Sequence, residues 1–197
     1  SNESPERVAI EISDAWKVLD LEKESYILWI GHASFLINLD GTIILTDPIF
    51  SKRASPVGIF GPKRLIPPAL NITDLPKIDL VTISHNHYDH LDINSLVKIS
   101  KNNPDAQFLV PKGDKKILTK RGIENVSEFL WWENLIVKNL KMTFTPVQHW
   151  SARGLGDRNK SLWGGWFFET SEFNLFHAGD TGSVSYTHLT LPTNSNV

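Results

Sequence analysis

One six-residue run, His85-Asn86-His87-Tyr88-Asp89-His90, carries four side chains that can bind a divalent metal. Neutral imidazoles and carboxylates are the ligands that hold zinc and similar cations. A strand that ends in a tight loop can turn His85 and His87 toward one point, while Asp89 and His90 face an adjacent point. Such a loop supplies ligands to two cations about 3.5–4 Å apart, the usual spacing of two-metal hydrolytic sites. The run therefore predicts a metal centre that serves hydrolysis.

Two further candidate ligands, His149 and Asp180, each follow a separate apolar segment. A third His would complete the shell of the first cation, and a carboxylate would bridge the two cations. The small residues on either side of Asp180 allow the backbone to pass close to the metals. The alternative, a solvated polar loop, is disfavoured because the histidine run follows an apolar strand and the other candidates follow later strands.

Three other polar residues border apolar segments, and each has two interpretations. For His32 and His177, a hydrogen-bonded core histidine is favoured over a metal ligand. Asp47, which precedes Pro48 at the end of a strand, either caps a loop or orients a ligand histidine through a hydrogen bond. His32 and Asp47 are kept as candidates for this supporting role.

The composition of the 197-residue chain indicates one domain, or a large part of one, with a substantial core. A net charge of -2 argues against a nucleic-acid binder, and the absence of cysteine excludes disulfides and thiolate metal sites. No run is long enough for a transmembrane helix. The start has neither a secretory signal pattern nor an initiator Met, so the natural terminus is expected upstream and the expected location is cytoplasmic.

Strand patterns dominate the chain, with helices between them, which indicates a layered α/β class with a sheet core and helices outside. A partly helical N-terminal arm comes first, residues 50–71 form a long loop, and Asp92 caps a helix that carries Leu96 and Ile99. A second helix is predicted over residues 112–121. Strands are predicted at residues 26–30, 35–39, 42–46, 78–84, 107–110, 135–139, 142–147, 165–169 and 173–177.

The histidine run, the later His149 and the Gly179-Asp180-Thr181-Gly182 segment together resemble the metallo-β-lactamase fold superfamily. Longer strings resemble one group within it, the N-acylphosphatidylethanolamine-hydrolysing phospholipase D group and its bacterial relatives. The resemblance covers about residues 26–182. Its strings include Trp29-Ile30-Gly31-His32-Ala33-Ser34, Leu45-Thr46-Asp47-Pro48-Ile49-Phe50-Ser51, Gly61-Pro62-Lys63-Arg64, Gln148-His149-Trp150 and Leu162-Trp163-Gly164.

This resemblance implies an αββα sandwich with two zinc ions at one edge. His85, His87 and His149 would hold the first zinc, Asp89 and His90 the second, and Asp180 would bridge them. A metal-bound hydroxide would attack the phosphorus of an N-acyl phospholipid or a related phosphodiester, with Asp89 and His90 as the candidate catalytic residues. The expected partner is thus a lipid or another small phosphodiester, and a membrane surface is compatible with it.

The end of the chain departs from the family pattern. The family has another His well after the bridging Asp, and the remainder of the second αββ half. Residues 183–197 do not resemble it, and His188 is not expected to replace the distal ligand. The expected division is an arm over 1–25, a partial hydrolase domain over 26–182 and a non-matching tail. An incomplete second zinc site leaves two alternatives open, a lactonase of the same fold and a metal-binding fragment without catalysis.

Aromatic and basic residues offer loose support for a lipid substrate. Five tryptophans could form an apolar surface, although core positions are favoured for all five. They are Trp131, Trp132, Trp150, Trp163 and Trp166. Four basic residues could meet a phosphate, although solvent-facing positions are favoured for them: Lys63, Arg64, Arg153 and Lys160.

Overall fold

The computed structural model describes residues 14–55 and 61–182. Predictions on the start of the N-terminal arm, the tail and His188 lie outside these residues. The described residues form two β-sheets, two α-helices, and 3-10 helices at Ala15–Val18 and Ile72–Asp74. The strands and helices are β1 (Tyr26–Gly31), β2 (Ser34–Leu39), β3 (Thr42–Thr46), β4 (Leu80–Thr82), α1 (Ile93–Asn102), β5 (Gln107–Pro111), α2 (Lys115–Thr119), β6 (Val126–Phe129), β7 (Asn134–Val137), β8 (Leu140–Thr145), β9 (Gly165–Glu169) and β10 (Asn174–His177).

The first sheet has the strand order β1-β2-β3-β4-β5-β6. Two antiparallel hairpins join β1 to β3, and the Asp40-Gly41 turn connects β2 to β3 as predicted. From β3 to β6 the strands are parallel, with α1 between β4 and β5 and α2 between β5 and β6. Since parallel strands are covered on both faces, β3 and β4 are buried along their whole length.

The second sheet, of order β10-β9-β8-β7, is antiparallel and packs against the first. Alternation along β3 separates the two cores, because successive side chains of a strand point to opposite faces. Ile43 and Leu45 join the cluster that packs under the helices, whereas Ile44 joins the cluster between the sheets. The predicted layered α/β class is confirmed.

Both predicted helices form, with different accuracy at their ends. Asp92 caps α1 as predicted, because its carboxylate accepts a hydrogen bond from the Asn94 N–H. Helix α2 is shorter than the predicted 112–121, since Gly113 with φ +104 cannot be helical. None of the helices in the described residues is long and apolar enough to cross a membrane.

The strand predictions are wrong mainly at β4, β6, β7 and β8, the last of which is Leu140–Thr145 and lies two residues before the predicted 142–147. Strand β4 is limited to Leu80–Thr82 within the predicted 78–84, and β6 was not predicted. Strand β7 ends at Val137, because Lys138 with φ +53 begins the hairpin turn into β8. Neither the end of β4 nor the end of β7 carries a Gly or Pro that would reveal it in the sequence.

Candidate metal centre

Four of the predicted ligands meet at the ends of three strands. His85 and His87 follow β4, His149 follows β8, and Asp180 follows β10. One ligand atom from each lies within 4.8 Å of the others. The loops are tied together, since the Gly182 N–H donates to the Gln148 carbonyl at 2.8 Å. The sheet edges therefore place all four side chains around one point.

Three imidazole nitrogens face each other at this point. His85 Nε2 lies 2.8 Å from His87 Nδ1, and His149 Nε2 lies 3.2 Å from both atoms. A neutral imidazole offers one donor and one acceptor, so three converging nitrogens cannot all satisfy one another. Tetrahedral zinc would hold its nitrogen ligands about 3.3–3.4 Å apart, from Zn–N distances of about 2.0–2.1 Å. The two distances to His149 are close to this spacing, and the His85–His87 distance is shorter, so a cation would move these two nitrogens slightly apart.

The protonation of these histidines also suits a metal. Burial lowers the pKa of His85 to about 3, with a further contribution from the neighbouring His90 charge. Burial likewise lowers the pKa of His87 and of His149. All three imidazoles are therefore neutral near pH 7, which is the form that binds metals.

A second group, formed by His32, Asp89 and His90, lies beside the first. His32 Nε2 is 3.1 Å from Asp89 Oδ2, and this hydrogen bond lowers the pKa of Asp89 to about 2. Burial alone would lower the pKa of His90, but the charges of Asp47 and Asp180 outweigh burial and raise it to about 10. The surroundings that favour a proton on His90 also favour a cation there.

Asp180 faces both groups. Its Oδ1 lies 3.2 Å from His90 Nε2, and its Oδ2 lies 3.8 Å from His149 Nε2. The contact with His90 lowers the pKa of Asp180 well below its usual range, so the carboxylate is ionised. This placement suits a carboxylate that bridges two cations.

Asp47 lies beneath both groups, fully buried. Its Oδ2 accepts hydrogen bonds from His90 Nδ1 at 2.8 Å and from the Ser84 hydroxyl at 2.6 Å. Because Ser84 donates to Asp47, its Oγ accepts from His85 Nδ1, 2.9 Å away. One carboxylate thus leaves Nε2 of both His85 and His90 facing the site, as supporting carboxylates do in metal sites. Of the two interpretations of Asp47, this contact favours the orienting one.

His32 and His177 have different environments. The expectation of a core position is wrong for His32, whose side chain is 45% exposed beside Asp89. His32 occupies the tight turn between β1 and β2 with φ +53, so its side chain stands outside the sheet. His177 is buried and contacts the Ala33 carbonyl at 3.0 Å, as expected of a core histidine.

Gly179 makes a close backbone approach to Ser84, while the approach to metals that the small residues around Asp180 predict stays a prediction. Its φ is +62, and a Cβ built on it would lie 2.5 Å from the side chain of Ser84. Only glycine fits this position without displacing Ser84. Ser84 itself was missed by the sequence reasoning, although a polar residue between an apolar strand and the histidine run could have indicated it.

A cavity of about 680 Å³ opens beside the second group. His32, His87 and Asp89 line it together with residues of the loop after β3. Apolar and basic side chains complete the lining: Trp29, Ile49, Leu65, Ile66, Trp150, Lys63 and Arg64. The candidate metal centre therefore borders an amphiphilic cavity.

The sequence expectations for tryptophan and basic residues are partly wrong. Trp166 is a core residue with no exposure, but Trp132 and Trp150 are 57% and 38% exposed. Trp131 and Trp163 are partly buried, with ring centroids 5.6 Å apart. Lys63 and Lys160 are exposed as expected, whereas Arg64 and Arg153 are partly buried. Arg153 extends beneath the histidine run, because its guanidinium donates to backbone carbonyls there.

A known family matches most of the chain. The family described as "Beta-lactamase superfamily domain" matches residues 42–191. The match ends inside the segment 183–197, whose separation from the domain stays a prediction.

Two curated relatives are similar at the sequence level. The N-acyl-phosphatidylethanolamine-hydrolyzing phospholipase D 1 of Caenorhabditis elegans is 40% identical over 175 residues, which cover 83% of this chain and 49% of the relative. The mitochondrial phospholipase D of the same specificity from Saccharomyces cerevisiae is 45% identical over 166 residues, 81% of this chain and 35% of the relative. The chain thus spans half or less of the length of these relatives.

A solved structure gives the same fold. CmlA, a diiron beta-hydroxylase from Streptomyces venezuelae, superposes with a TM-score of 0.60 and 27% identity, over 80% of this chain and 30% of that one. The predicted metallo-β-lactamase type of sandwich is confirmed by this likeness and by the family match.

Proposed function

The chain belongs to the beta-lactamase superfamily, and on this basis we propose that it is a metal-dependent hydrolase that cleaves a phosphodiester of an N-acylated phospholipid or a related lipid. The support is its similarity to two phospholipases D of that specificity and the arrangement of its own site. The single observation that carries the proposal is the pair of ligand groups joined by Asp180 beside an amphiphilic cavity.

Cations bound at the two groups would lower the pKa of coordinated water and neutralise charge on phosphoryl oxygens. His85, His87 and His149 would hold the first cation as neutral imidazoles. Asp89 and His90 would hold the second, and Asp180 would contact both. The two zinc ions expected from the sequence belong to this proposal, since the metal is named as iron in CmlA.

The cavity lining supports the proposed binding of an anionic lipid. Arg64 is half-buried, donates to the Ile49 carbonyl and, within the described residues, forms no ion pair with a carboxylate. Burial lowers the pKa of Arg64 without removing its charge, so the cation is available to a phosphate. Trp29, Leu65 and Trp150 offer apolar surface to an acyl chain beside it.

Metal content is the first test. We expect elemental analysis of the purified protein to find about two metal ions per chain, and the analysis also identifies the element. The His85→Ala, His87→Ala double variant should lose the first ion, because both residues would hold it, and should bind the second more weakly because Asp180 is shared. A protein with no more metal than the double variant would contradict the proposed centre.

Turnover is the second test. The metal-loaded protein should release phosphatidic acid from vesicles that contain N-acyl-phosphatidylethanolamine, and His149→Ala should abolish the release. Hydrolysis of a lactone without phosphodiester cleavage would support the lactonase alternative. No contact in the described residues favours that alternative. Metal binding without either reaction would support the non-catalytic alternative.

Cell fractionation would test the cytoplasmic location, which stays a prediction.

A further inference from the structure

Arg153 contacts the backbone near both ends of the metal-binding run, at Asn86 inside it and at Leu91 just after it. Its Nη1 donates to the Asn86 carbonyl at 2.8 Å and to the Leu91 carbonyl at 2.9 Å. Asn86 lies between two ligand histidines, and Leu91 directly follows His90. One guanidinium nitrogen therefore fixes both ends of the loop that carries four of the candidate ligands.

Tyr88 makes the contact reciprocal. Its hydroxyl donates to the Arg153 carbonyl at 2.8 Å, and the guanidinium lies 4.0 Å from the centre of its ring. The contact thus comprises three hydrogen bonds and a cation–π interaction. Since Tyr88 lies between His87 and Asp89, this interaction holds the middle of the ligand run as well as its ends.

The segment that carries Arg153 is itself fixed. Asp157 accepts the Arg153 N–H at 3.1 Å and the Gly154 N–H at 3.0 Å, which closes a tight turn. Arg153 is four residues from His149, the ligand contributed by this segment. The guanidinium therefore joins the two chain segments whose histidines must converge on the first cation.

Because Arg153 is partly buried, its charge requires contacts with polar groups of the protein. Within the described residues Arg153 forms no ion pair, and its guanidinium is contacted directly by backbone carbonyls and the Tyr88 ring. The more distant carboxylates of Asp114, Asp92 and Asp157 oppose the effect of burial, which lowers the pKa of Arg153. A buried charge that loses its partners is costly, so the loop carbonyls are held where the guanidinium needs them. The contact is directional and does not depend on bulk alone.

We propose that Arg153 is a positioning residue that sets the geometry of the first cation site by fixing the histidine run against the His149 segment. It touches no candidate ligand atom. The proposal rests on the metal centre of the proposed function. Changes in residues that orient metal ligands usually weaken metal affinity about 10- to 100-fold.

The test compares zinc affinity and stability in four variants. Arg153→Met keeps an unbranched apolar side chain and removes its donors, and Arg153→Lys keeps a cationic donor on a flexible side chain without the planar guanidinium. Tyr88→Phe removes one hydrogen bond and keeps the ring. Arg121→Met is the control, because it removes an exposed guanidinium that is remote from the site. Zinc affinity is measured by competition with a chromogenic chelator, and stability by urea unfolding with and without zinc.

We expect Arg153→Met to weaken zinc binding at least about tenfold, Arg153→Lys to recover part of the loss, and Tyr88→Phe to weaken binding by a smaller factor. The control should match the wild type. A purely structural role would lower the stability of the apo and zinc-loaded forms equally and leave the affinity unchanged, which overturns the proposal. If Arg153→Met does not fold, the affinities of Arg153→Lys and Tyr88→Phe decide. A wild type that binds no zinc would overturn the metal centre itself.

Discussion

The contact between Gly179 and Ser84 gives the sharpest stability prediction. Gly179 has φ +62, and an added Cβ would lie 2.5 Å from both Cβ and Oγ of Ser84. A left-handed backbone costs an L residue about 1–2 kcal/mol, and overpacking typically costs about 1–3 kcal/mol. We therefore expect Gly179→Ala to lower the free energy of unfolding by about 2–5 kcal/mol, the sum of these two ranges.

A second glycine separates the two contributions. Gly122 has φ +81, but nothing lies within 4 Å of an added Cβ. Gly122→Ala should therefore lose only the backbone part, about 1–2 kcal/mol. Urea unfolding of both variants at pH 7 measures the difference, which we attribute to Ser84.

A double-variant cycle completes the test. Ser84→Gly removes both atoms that the added Cβ would meet, so Gly179→Ala should cost no more in that background than Gly122→Ala does in the wild type. If Gly179→Ala costs as little as Gly122→Ala in the wild-type background, or if Ser84→Gly brings no relief, the steric reasoning is refuted.

Three further variants test the site's surroundings. Asp47→Asn weakens the acceptor of His90 Nδ1–H, so chelator competition should show about 10- to 100-fold weaker binding of the second cation, and an unchanged affinity would contradict the orienting role. Burial raises the pKa of Asp114 from 3.8 to about 6, so its stabilising contribution is full below about pH 4 and is lost as the pH rises through about 6, by up to about 3 kcal/mol. Urea unfolding at pH 4 and pH 7 should show a loss of stability in the wild type that is absent in Asp114→Asn. An identical pH dependence in the two proteins would refute this prediction. The free energy of unfolding of His32→Gly should exceed that of His32→Ala by about 1 kcal/mol, because only glycine adopts φ +53 without strain. Equal free energies of unfolding would mean that the turn is unstrained.

The histidine run shows what sequence can predict about the site. Its ligand types, their spacing and the apolar strand before them are all local, so a loop with two adjacent clusters follows from the residues alone. His149 and Asp180 are distant in sequence, and the rule that ligands gather at strand ends predicted their approach. The structure brings these residues together, while their binding of metal stays a prediction.

Other features depend on tertiary contacts that no local pattern encodes. The sequence around Arg153 predicts a solvent-facing cation, because the carbonyls that Arg153 contacts belong to a loop more than 60 residues away. His32 reads as a core residue because it borders two apolar strands, and only the backbone conformation of the turn exposes it. The sequence did not predict strand β6, because β6 is defined by its pairing with β5 and that pairing is non-local.

Asp47 links the two candidate ligand groups. Burial favours protonation of this carboxylate, but the His90 charge and hydrogen bond outweigh burial and lower its pKa. The ionised carboxylate binds His90 directly and His85 through Ser84, so it orients one ligand of each group. It does so with φ +37 on a buried, non-glycine residue, a conformation that persists only when the surroundings enforce it. The strained strand end and the geometry of the ligand groups are therefore one feature, and a change at Asp47 should alter His90 directly and His85 through Ser84.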